Sequence, residues 1–173
     1  MRVLLADVED ASGRQVHDYM IVESRRNGGR TPSGIVVVPV VDGRVAMLRV
    51  FRPPIGRAGW ELPRGFIDET EAPSAAASRE LAEETGLKCS PDELVSLGEI
   101  APEPGVIRAL HPVFLAVCDG QVVDWIQHDF GHLAFAMFSR TEIMSMIRHG
   151  EIVDSNTVSA LFLWRSHDKG QEW

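Results

Sequence analysis

The chain has 173 residues, of which 45% are apolar, so it is long enough to form one domain with a hydrophobic core. Its formal net charge of −8 argues against an extended surface for nucleic acid or for an anionic membrane. Its two cysteines, Cys89 and Cys118, have no metal-ligand spacing, which favours a reducing compartment. The apolar run in the first residues is too short for a signal peptide or a transmembrane helix, so we expect a cytoplasmic protein with no membrane partner.

Strands are predicted where apolar and β-branched runs lie between turn-forming residues. In chain order they are a short strand before the turn cluster at 11–14, then Val16–Glu23, Gly34–Val41, Arg44–Phe51, Glu93–Ile100 and Val113–Val117. Gly34–Val41 is continuously apolar, which is typical of a buried strand. Asp42-Gly43 predicts a hairpin turn to the strand that follows it.

Three helices are predicted from their start and stop signals. The first begins near Pro73 and stops at Gly86. The second, Ser139–His149, has a capping box between Ser139 and Glu142, and the third covers Asp154–Ser166. Strands interspersed with helices favour an α/β fold of the α/β/α sandwich type.

Three carboxylates are concentrated near the end of the first helix. Glu80, Glu83 and Glu84 have the spacing i, i+3 and i+4, so they project from one helix face. Like charges at this spacing repel one another by a few tenths of a kcal/mol per pair in an exposed helix. A hard divalent cation would make the cluster favourable, since Mg²⁺ and Mn²⁺ prefer oxygen ligands. The alternative is a solvated acidic helix face.

The residues around this cluster form a longer pattern, G-x5-E-x7-R-E-(apolar)-x-E-E-x-G-(apolar). It is carried by Gly65, Glu71, Arg79, Glu80, Leu81, Glu83, Glu84, Gly86 and Leu87. The pattern resembles the signature of the Nudix hydrolases. This resemblance implies a mixed β-sheet and metal-dependent cleavage of a nucleoside diphosphate linked to another group, with Mg²⁺ or Mn²⁺ as cofactor. We expect an N-terminal strand segment at 1–33 and the Nudix domain at 34–173.

The resemblance also implies roles for individual residues. Glu80, Glu83 and Glu84 would be metal ligands, together with the backbone carbonyl of Arg64. Arg79 would orient Glu83, the catalytic carboxylate. Glu71 would support the ligands or have only a structural role at the start of the helix.

Features outside the signature resemble the branch of ADP-ribose and nucleoside-diphosphate-sugar pyrophosphatases. They are the strand end Leu48–Pro54, the entry Trp60–Pro63, and Pro102 in the loop at 101–105. By this resemblance Arg52 would contact the diphosphate and Glu61 a ribose hydroxyl, while Pro104 and Gly105 would shape the loop that faces the sugar. The expected reaction converts ADP-ribose to AMP and ribose 5-phosphate.

The chain departs from this branch at two places. Arg64 stands where the branch has a small residue, and its side chain would either reach a phosphate or point to solvent. The segment before the last strand has few acids, so Asp129 is our choice of general base and Glu103 the reserve. His128 and His132 are expected to be surface or loop residues rather than ligands, because hard cations prefer oxygen.

Several alternatives remain open at this point. Other nucleotide sugars or dinucleotides (GDP-mannose, UDP-glucose, NADH, dinucleoside polyphosphates) compete as substrates. A non-catalytic nucleotide-sugar sensor and an enzyme acting on oxidised nucleoside triphosphates are less favoured. By resemblance we also expect a homodimer, with His17 and Tyr19 in structural roles in its N-terminal strands.

Overall fold

The computed structural model describes residues 1–26, 28–118, 125 and 130–168. Its strands are β1 Arg2–Glu9, β2 Gln15–Glu23, β3 Gly34–Val41, β4 Arg44–Arg52, β5 Arg57–Glu61, β6 Arg64–Phe66, β7 Val95–Ile100, β8 Ile107–Arg108, β9 His111–Val117 and β10 His132–Phe138. Its helices are α1 Pro73–Thr85, α2 Arg140–Arg148 and α3 Ser155–His167, with a 3₁₀ turn at Pro53–Ile55. No helix in these described ranges combines the length and the apolar character that crossing a membrane requires.

Strand β3 lies at the centre of the molecule because both of its faces are apolar. Successive side chains of a strand point to opposite faces. Ile35 and Val37 accordingly pack in the cluster shared with α1, while Val36 and Val38 pack in the cluster shared with α2 and α3. All four are 0% exposed. The predicted α/β/α sandwich is therefore confirmed.

The main sheet has seven strands, with the core order β10-β4-β3-β9-β7. Strands β3 and β9 are parallel, and the other pairs of this order are antiparallel, so the sheet is mixed. The short strands β5 and β6 attach to β4 and β3 respectively. Strand β6 thereby brings the start of the Gly65–Leu87 pattern against the centre of the sheet.

The helix ends follow the predicted signals closely. Helix α1 has proline at its first position and ends at Gly86, whose φ of 76° is left-handed. Helix α2 begins with a complete capping box between Ser139 and Glu142. Asp154 caps α3 by accepting a hydrogen bond from the Thr157 N–H.

The N-terminal hairpin of β1 and β2 stands outside the main sheet. It joins the rest of the chain through β8, which pairs in parallel with the end of β2. The fully buried Glu23 forms ion pairs with Arg2 and Arg108 at this junction. The Tyr19 hydroxyl also donates to the Gly105 carbonyl oxygen, at 2.5 Å. The hairpin is thus attached by polar contacts at the loop that holds Gly105.

Candidate active site

A cavity of about 540 Å³ opens between β6, α1 and the start of β10. Four arginines and three glutamates are among the residues that line it: Arg26, Arg52, Arg64, Arg79, Glu80, Glu83 and Glu84. The structure therefore brings together the complete acidic cluster and the three arginines singled out in the sequence.

The three glutamates differ in their surroundings. Glu80 and Glu84, four residues apart on α1, are 8% and 7% exposed, whereas the Glu83 side chain is 58% exposed. Gly65 makes room for Glu80, because a Cβ at position 65 would lie 1.9 Å from the Glu80 carboxyl carbon. One Glu84 oxygen, Oε2, accepts from the Arg64 N–H at 2.9 Å. The absence of a side chain at Gly65 thus sets where the Glu80 carboxylate lies.

Alternate residues of β6 point their backbone N–H and carbonyl groups toward α1. The Val37 N–H donates to the Pro63 carbonyl, so the next pair, Val36 and Arg64, is not hydrogen-bonded within the sheet. The N–H and carbonyl of Arg64 therefore point away from β3, on the side of Glu84. Two residues further, the Phe66 carbonyl accepts from Arg79 Nη2 at 3.0 Å, as this alternation requires. The Arg64 carbonyl lies on the side of the acidic cluster.

Arg79 connects the carboxylates of the pattern to one another. It donates to both Glu71 oxygens, each at 2.9 Å, and its Nη1 donates to Glu80 at 2.8 Å and to Glu83 at 3.1 Å. The predicted contact between Arg79 and Glu83 is present. These hydrogen bonds, above all those with Glu71, raise the pKa of Arg79. In the same contact Arg79 lowers the pKa of Glu71.

Arg52 and Arg64 converge on Glu61, which is 4% exposed. Arg52 contacts both Glu61 oxygens, at 3.0 and 2.6 Å, and this pairing raises the pKa of Arg52. Arg64 Nη2 lies 2.9 Å from Glu61 Oε2, and its Nη1 lies 3.1 Å from Asp154 Oδ1. The Arg64 side chain therefore neither points freely to solvent nor stands alone in the cavity. The expectation that it points to solvent was wrong, because Glu61 and Asp154 hold the side chain in place. Its contact with a phosphate stays a prediction.

Two histidines of the cavity also differ from the sequence interpretation. His132 is 5% exposed at the start of β10, and its Nε2 lies 3.5 Å from Glu84 Oε1. The expectation of a surface or loop residue was therefore wrong, since strand pairing of β10 with β4 carries His132 inward. His111, which the sequence did not single out, lines the cavity and lies 3.0 Å from Asn156 Oδ1 through its Nδ1. Burial is the main cause that lowers the pKa of His111.

Other predicted site residues lie elsewhere. Glu103, Pro104 and Gly105 are not part of the cavity lining, and the loop that holds them faces the N-terminal hairpin. Asp129 and His128 fall outside the described residues.

Trp125 was missed in the sequence. Its Nε1 donates to the Glu84 carbonyl oxygen at 2.9 Å, and its ring stacks on Phe135. Its position near the end of α1 depends on contacts between distant segments, so no local sequence signal could have revealed it.

The donor set is suited to a hard cation. Buried carboxylate oxygens and a backbone carbonyl are the ligands that Mg²⁺ and Mn²⁺ prefer. In the described part of the chain, however, no three metal-ligating side chains already converge on one point. Glu80 and Glu83 are directed to Arg79 instead. The carboxylates fit a divalent ion chemically, and Gly65 leaves the space that the Glu80 carboxylate occupies.

Comparison with known proteins shows the family of the chain. The NUDIX domain model matches residues 30–159, which is most of the chain. The chain therefore belongs to the NUDIX domain family, and the resemblance inferred from the Gly65–Leu87 pattern is confirmed.

Among its relatives are proteins of the ADP-ribose branch. The chain is 42% identical over 73 residues to the ADP-sugar pyrophosphatase of Mus musculus, an alignment that covers 36% of this chain and 34% of the mouse protein. It is 28% identical over 171 residues to the ADP-ribose pyrophosphatase of Mycobacterium tuberculosis, covering 90% of this chain and 82% of that protein. The chain thus spans only about a third of the mouse relative but most of the mycobacterial one.

A solved structure shares the fold. The crystal structure of an ADP compounds hydrolase superimposes with a TM-score of 0.75, covering 99% of this chain and 94% of that one. The two sequences are 21% identical, so this likeness supports the architecture alone.

Proposed function

We propose that this chain is a divalent-metal-dependent pyrophosphohydrolase that cleaves the diphosphate of a nucleoside diphosphate linked to another group. The leading substrate is ADP-ribose, which would give AMP and ribose 5-phosphate. The observation that carries this proposal is the cavity of about 540 Å³ that Glu80, Glu83 and Glu84 line together with several arginines. The names of the two curated relatives support an ADP-linked sugar as the substrate class.

Glu80, Glu83, Glu84 and the Arg64 carbonyl are the residues that we propose to hold Mg²⁺ or Mn²⁺. Support comes from the burial of Glu80 and Glu84 and from the direction of the β6 backbone. When bound, a divalent ion neutralises charge that develops on the phosphoryl oxygens and lowers the pKa of water at the site. Arg79 keeps Glu83 and Glu80 on the cavity side of α1.

Arg52 is the proposed contact to the diphosphate. Its guanidinium lines the cavity and is oriented by Glu61 from behind, so N–H groups not used by Glu61 can face an anion. Glu61 is committed to Arg52 and Arg64, which favours an orienting role for it over the predicted contact with a ribose hydroxyl.

For the proton acceptor we retain Asp129, which rests on the family resemblance alone. Glu103 is disfavoured as the alternative general base, because it does not line the cavity. A base must come within hydrogen-bond reach of the attacking water.

A homodimer is also proposed, with the hairpin of β1 and β2 in its interface. Val3 and Leu5 are 62% and 66% exposed on β1, and Met20 is 48% exposed on β2. A hairpin of only two strands has little stability of its own in water. A second copy covering these side chains would bury them.

The test is incubation of the purified protein with ADP-ribose and Mg²⁺, followed by chromatographic identification of AMP. Glu83→Gln and Glu84→Gln should each reduce kcat by more than about 100-fold, because even residues that only support metal ligands cost up to that much. Glu99→Gln, at an exposed position of β7, is the matched control and should retain full activity.

A substrate panel ranked by kcat/KM distinguishes ADP-ribose from GDP-mannose, UDP-glucose, NADH and dinucleoside polyphosphates. If the wild-type protein turns over none of these with Mg²⁺ or Mn²⁺, the proposed function is wrong.

A further inference from the structure

Arg64 is bound at both of its ends. Its backbone N–H donates to Glu84 Oε2 at 2.9 Å, on the acidic face of α1. Its side chain is 23% exposed, and its guanidinium lies 2.9 Å from Glu61 Oε2 and 3.1 Å from Asp154 Oδ1. A single residue therefore links the acidic cluster to the start of α3, on the opposite side of the sheet.

The two acids that hold the guanidinium are fixed themselves. Glu61 is 4% exposed and carries a two-point contact with Arg52. Asp154 divides its oxygens between two tasks. Its Oδ2 accepts from the Thr157 N–H and hydroxyl, both at 2.8 Å, while its Oδ1 faces Arg64. An arginine held in this fork by two fixed carboxylates has few other orientations open to it.

Residues at the start of α3 contact the chain at two positions where it enters β6. The Thr157 hydroxyl accepts from the Leu62 N–H at 3.0 Å, so the start of α3 holds the chain two residues before Arg64. Asp154 then holds the Arg64 side chain. The short segment from Leu62 to Gly65 is thereby fixed to α3 at two points, and its far end contacts Glu84 and accommodates Glu80.

The charge around the guanidinium argues against phosphate binding as its main task. Arg52 and Arg64 carry two positive charges, and Glu61 and Asp154 carry two negative ones, so the cluster is formally neutral. Both terminal nitrogens of Arg64 already face carboxylates. An anion approaching Arg64 would have to compete with both.

From these contacts we propose that Arg64 is a positioning residue, whose guanidinium is anchored by Glu61 and Asp154 and keeps the Arg64 backbone in place against Glu84. The inference rests on the proposed function in one respect, namely that Glu84 belongs to a metal site. The role belongs to the Arg64 side chain and is separate from any ligand role of its carbonyl.

The experiment is a double-mutant cycle of Arg64→Met and Asp154→Asn. Asn caps a helix as well as Asp does, so Asp154→Asn keeps the start of α3 and removes the charge that faces Arg64. Mn²⁺ affinity is measured by calorimetry, and kcat and KM are measured with ADP-ribose. Thermal unfolding reports whether each variant is folded.

Arg64→Met should weaken Mn²⁺ binding and lower kcat by about 10- to 100-fold each, with little change in KM. Asp154→Asn should act in the same direction, and the double variant should be no worse than Arg64→Met alone, because the two changes break one interaction. Arg64→Lys should recover part of the loss, since an ammonium can meet one acid but cannot span two. Arg49→Met, at an exposed arginine of β4 outside the cavity lining, is the control and should match the wild type.

Two results would overturn the positioning role. One is a large rise in KM for Arg64→Met with unchanged Mn²⁺ affinity, which would make Arg64 a direct phosphate contact. The other is additivity of the two changes in Mn²⁺ affinity. Should the wild-type protein hydrolyse no nucleoside diphosphate derivative, the proposed function fails, yet the Mn²⁺ affinities still decide the role of Arg64.

Discussion

Gly65 determines where the Glu80 carboxylate lies within the cavity. A Cβ at this position would meet the far end of the Glu80 side chain at about 2 Å, with 1.9 Å to its carboxyl carbon. A flexible glutamate can move aside at little cost to folding. A side chain at position 65 should therefore disturb the geometry of the acidic cluster more than it lowers the stability of the domain.

Gly65→Ala should consequently reduce kcat and Mn²⁺ affinity by about 10- to 100-fold while leaving the Tm nearly unchanged. Kinetics, calorimetry and thermal unfolding of the same sample provide the three readouts. Gly13→Asn is the control, because Gly13 has a left-handed φ of 84° with open space around it, and asparagine tolerates that conformation. An alanine variant with wild-type Mn²⁺ affinity would contradict this account.

His111, which lines the cavity, should make the free energy of unfolding of the protein depend on pH. Burial lowers its pKa below the ordinary value of 6.5, so the unfolded chain binds a proton at a pH where the folded protein does not. Stability therefore falls as the pH decreases from about 6.5 toward the folded-state pKa.

We expect the stability advantage of the wild type over His111→Gln to shrink as the pH is lowered through this range, because glutamine does not titrate. Urea unfolding at a series of pH values between 7 and 5 measures the difference. His149→Gln, at an exposed position, serves as the control for general effects of histidine replacement. A difference that is constant with pH would show that burial of His111 does not govern the effect.

Local spacing made part of the site predictable. Glu80, Glu83, Glu84 and Arg79 lie within one and a half helical turns, so helix periodicity alone places them together. The contacts of Arg64 could not be found this way, because Asp154 is 90 residues further along the chain and meets it only through the packing of α3 on the sheet. His132 was missed for the same reason, since its inward position depends on pairing with β4.

At the level of elements, the best-predicted helix start is that of α2. The Ser139 hydroxyl accepts from the Glu142 N–H, and Glu142 returns the contact to the Ser139 N–H at 2.7 Å. Ser139→Ala removes the first of these and should lower the free energy of unfolding by about 1 kcal/mol. Because α2 does not line the cavity, kcat should stay unchanged.

Urea unfolding and steady-state kinetics check both halves of this prediction. Thr141→Ala, at an exposed position two residues after Ser139, is the matched control and should not destabilise the protein. Equal unfolding midpoints for Ser139→Ala and the wild type would mean that the capping box contributes nothing.

All three helices and most of the long strands followed from apolar periodicity and end signals, whereas β10 (His132–Phe138) and the shortest strands did not. Strand β5 contains Gly59, and β6 has only three residues with Gly65 in the middle. Neither strand is long enough to show the alternation of apolar and polar residues that predicts a strand. They are strands because β4 and β3 offer them pairing partners, which is a property of the assembled sheet.

For the whole molecule, the exposed apolar side chains of the hairpin lead to a prediction about assembly. We expect two copies per particle in size-exclusion chromatography with light scattering. Leu5→Asp, at a position 66% exposed on β1, should shift the particle to a single copy by placing a charge in the interface. Phe162→Asp changes a side chain of equal exposure on α3 and should leave two copies. A wild-type protein that has the mass of one chain at all concentrations would contradict the proposed dimer.

Arg79 serves four separate acceptors: the side chains of Glu71, Glu80 and Glu83 and the carbonyl of Phe66. No other natural side chain offers five N–H groups in one rigid plane, so no exchange at this position can satisfy all four at once. A library randomised at position 79 and selected for turnover should return arginine almost alone. The same library at the exposed position 49 should return many polar residues.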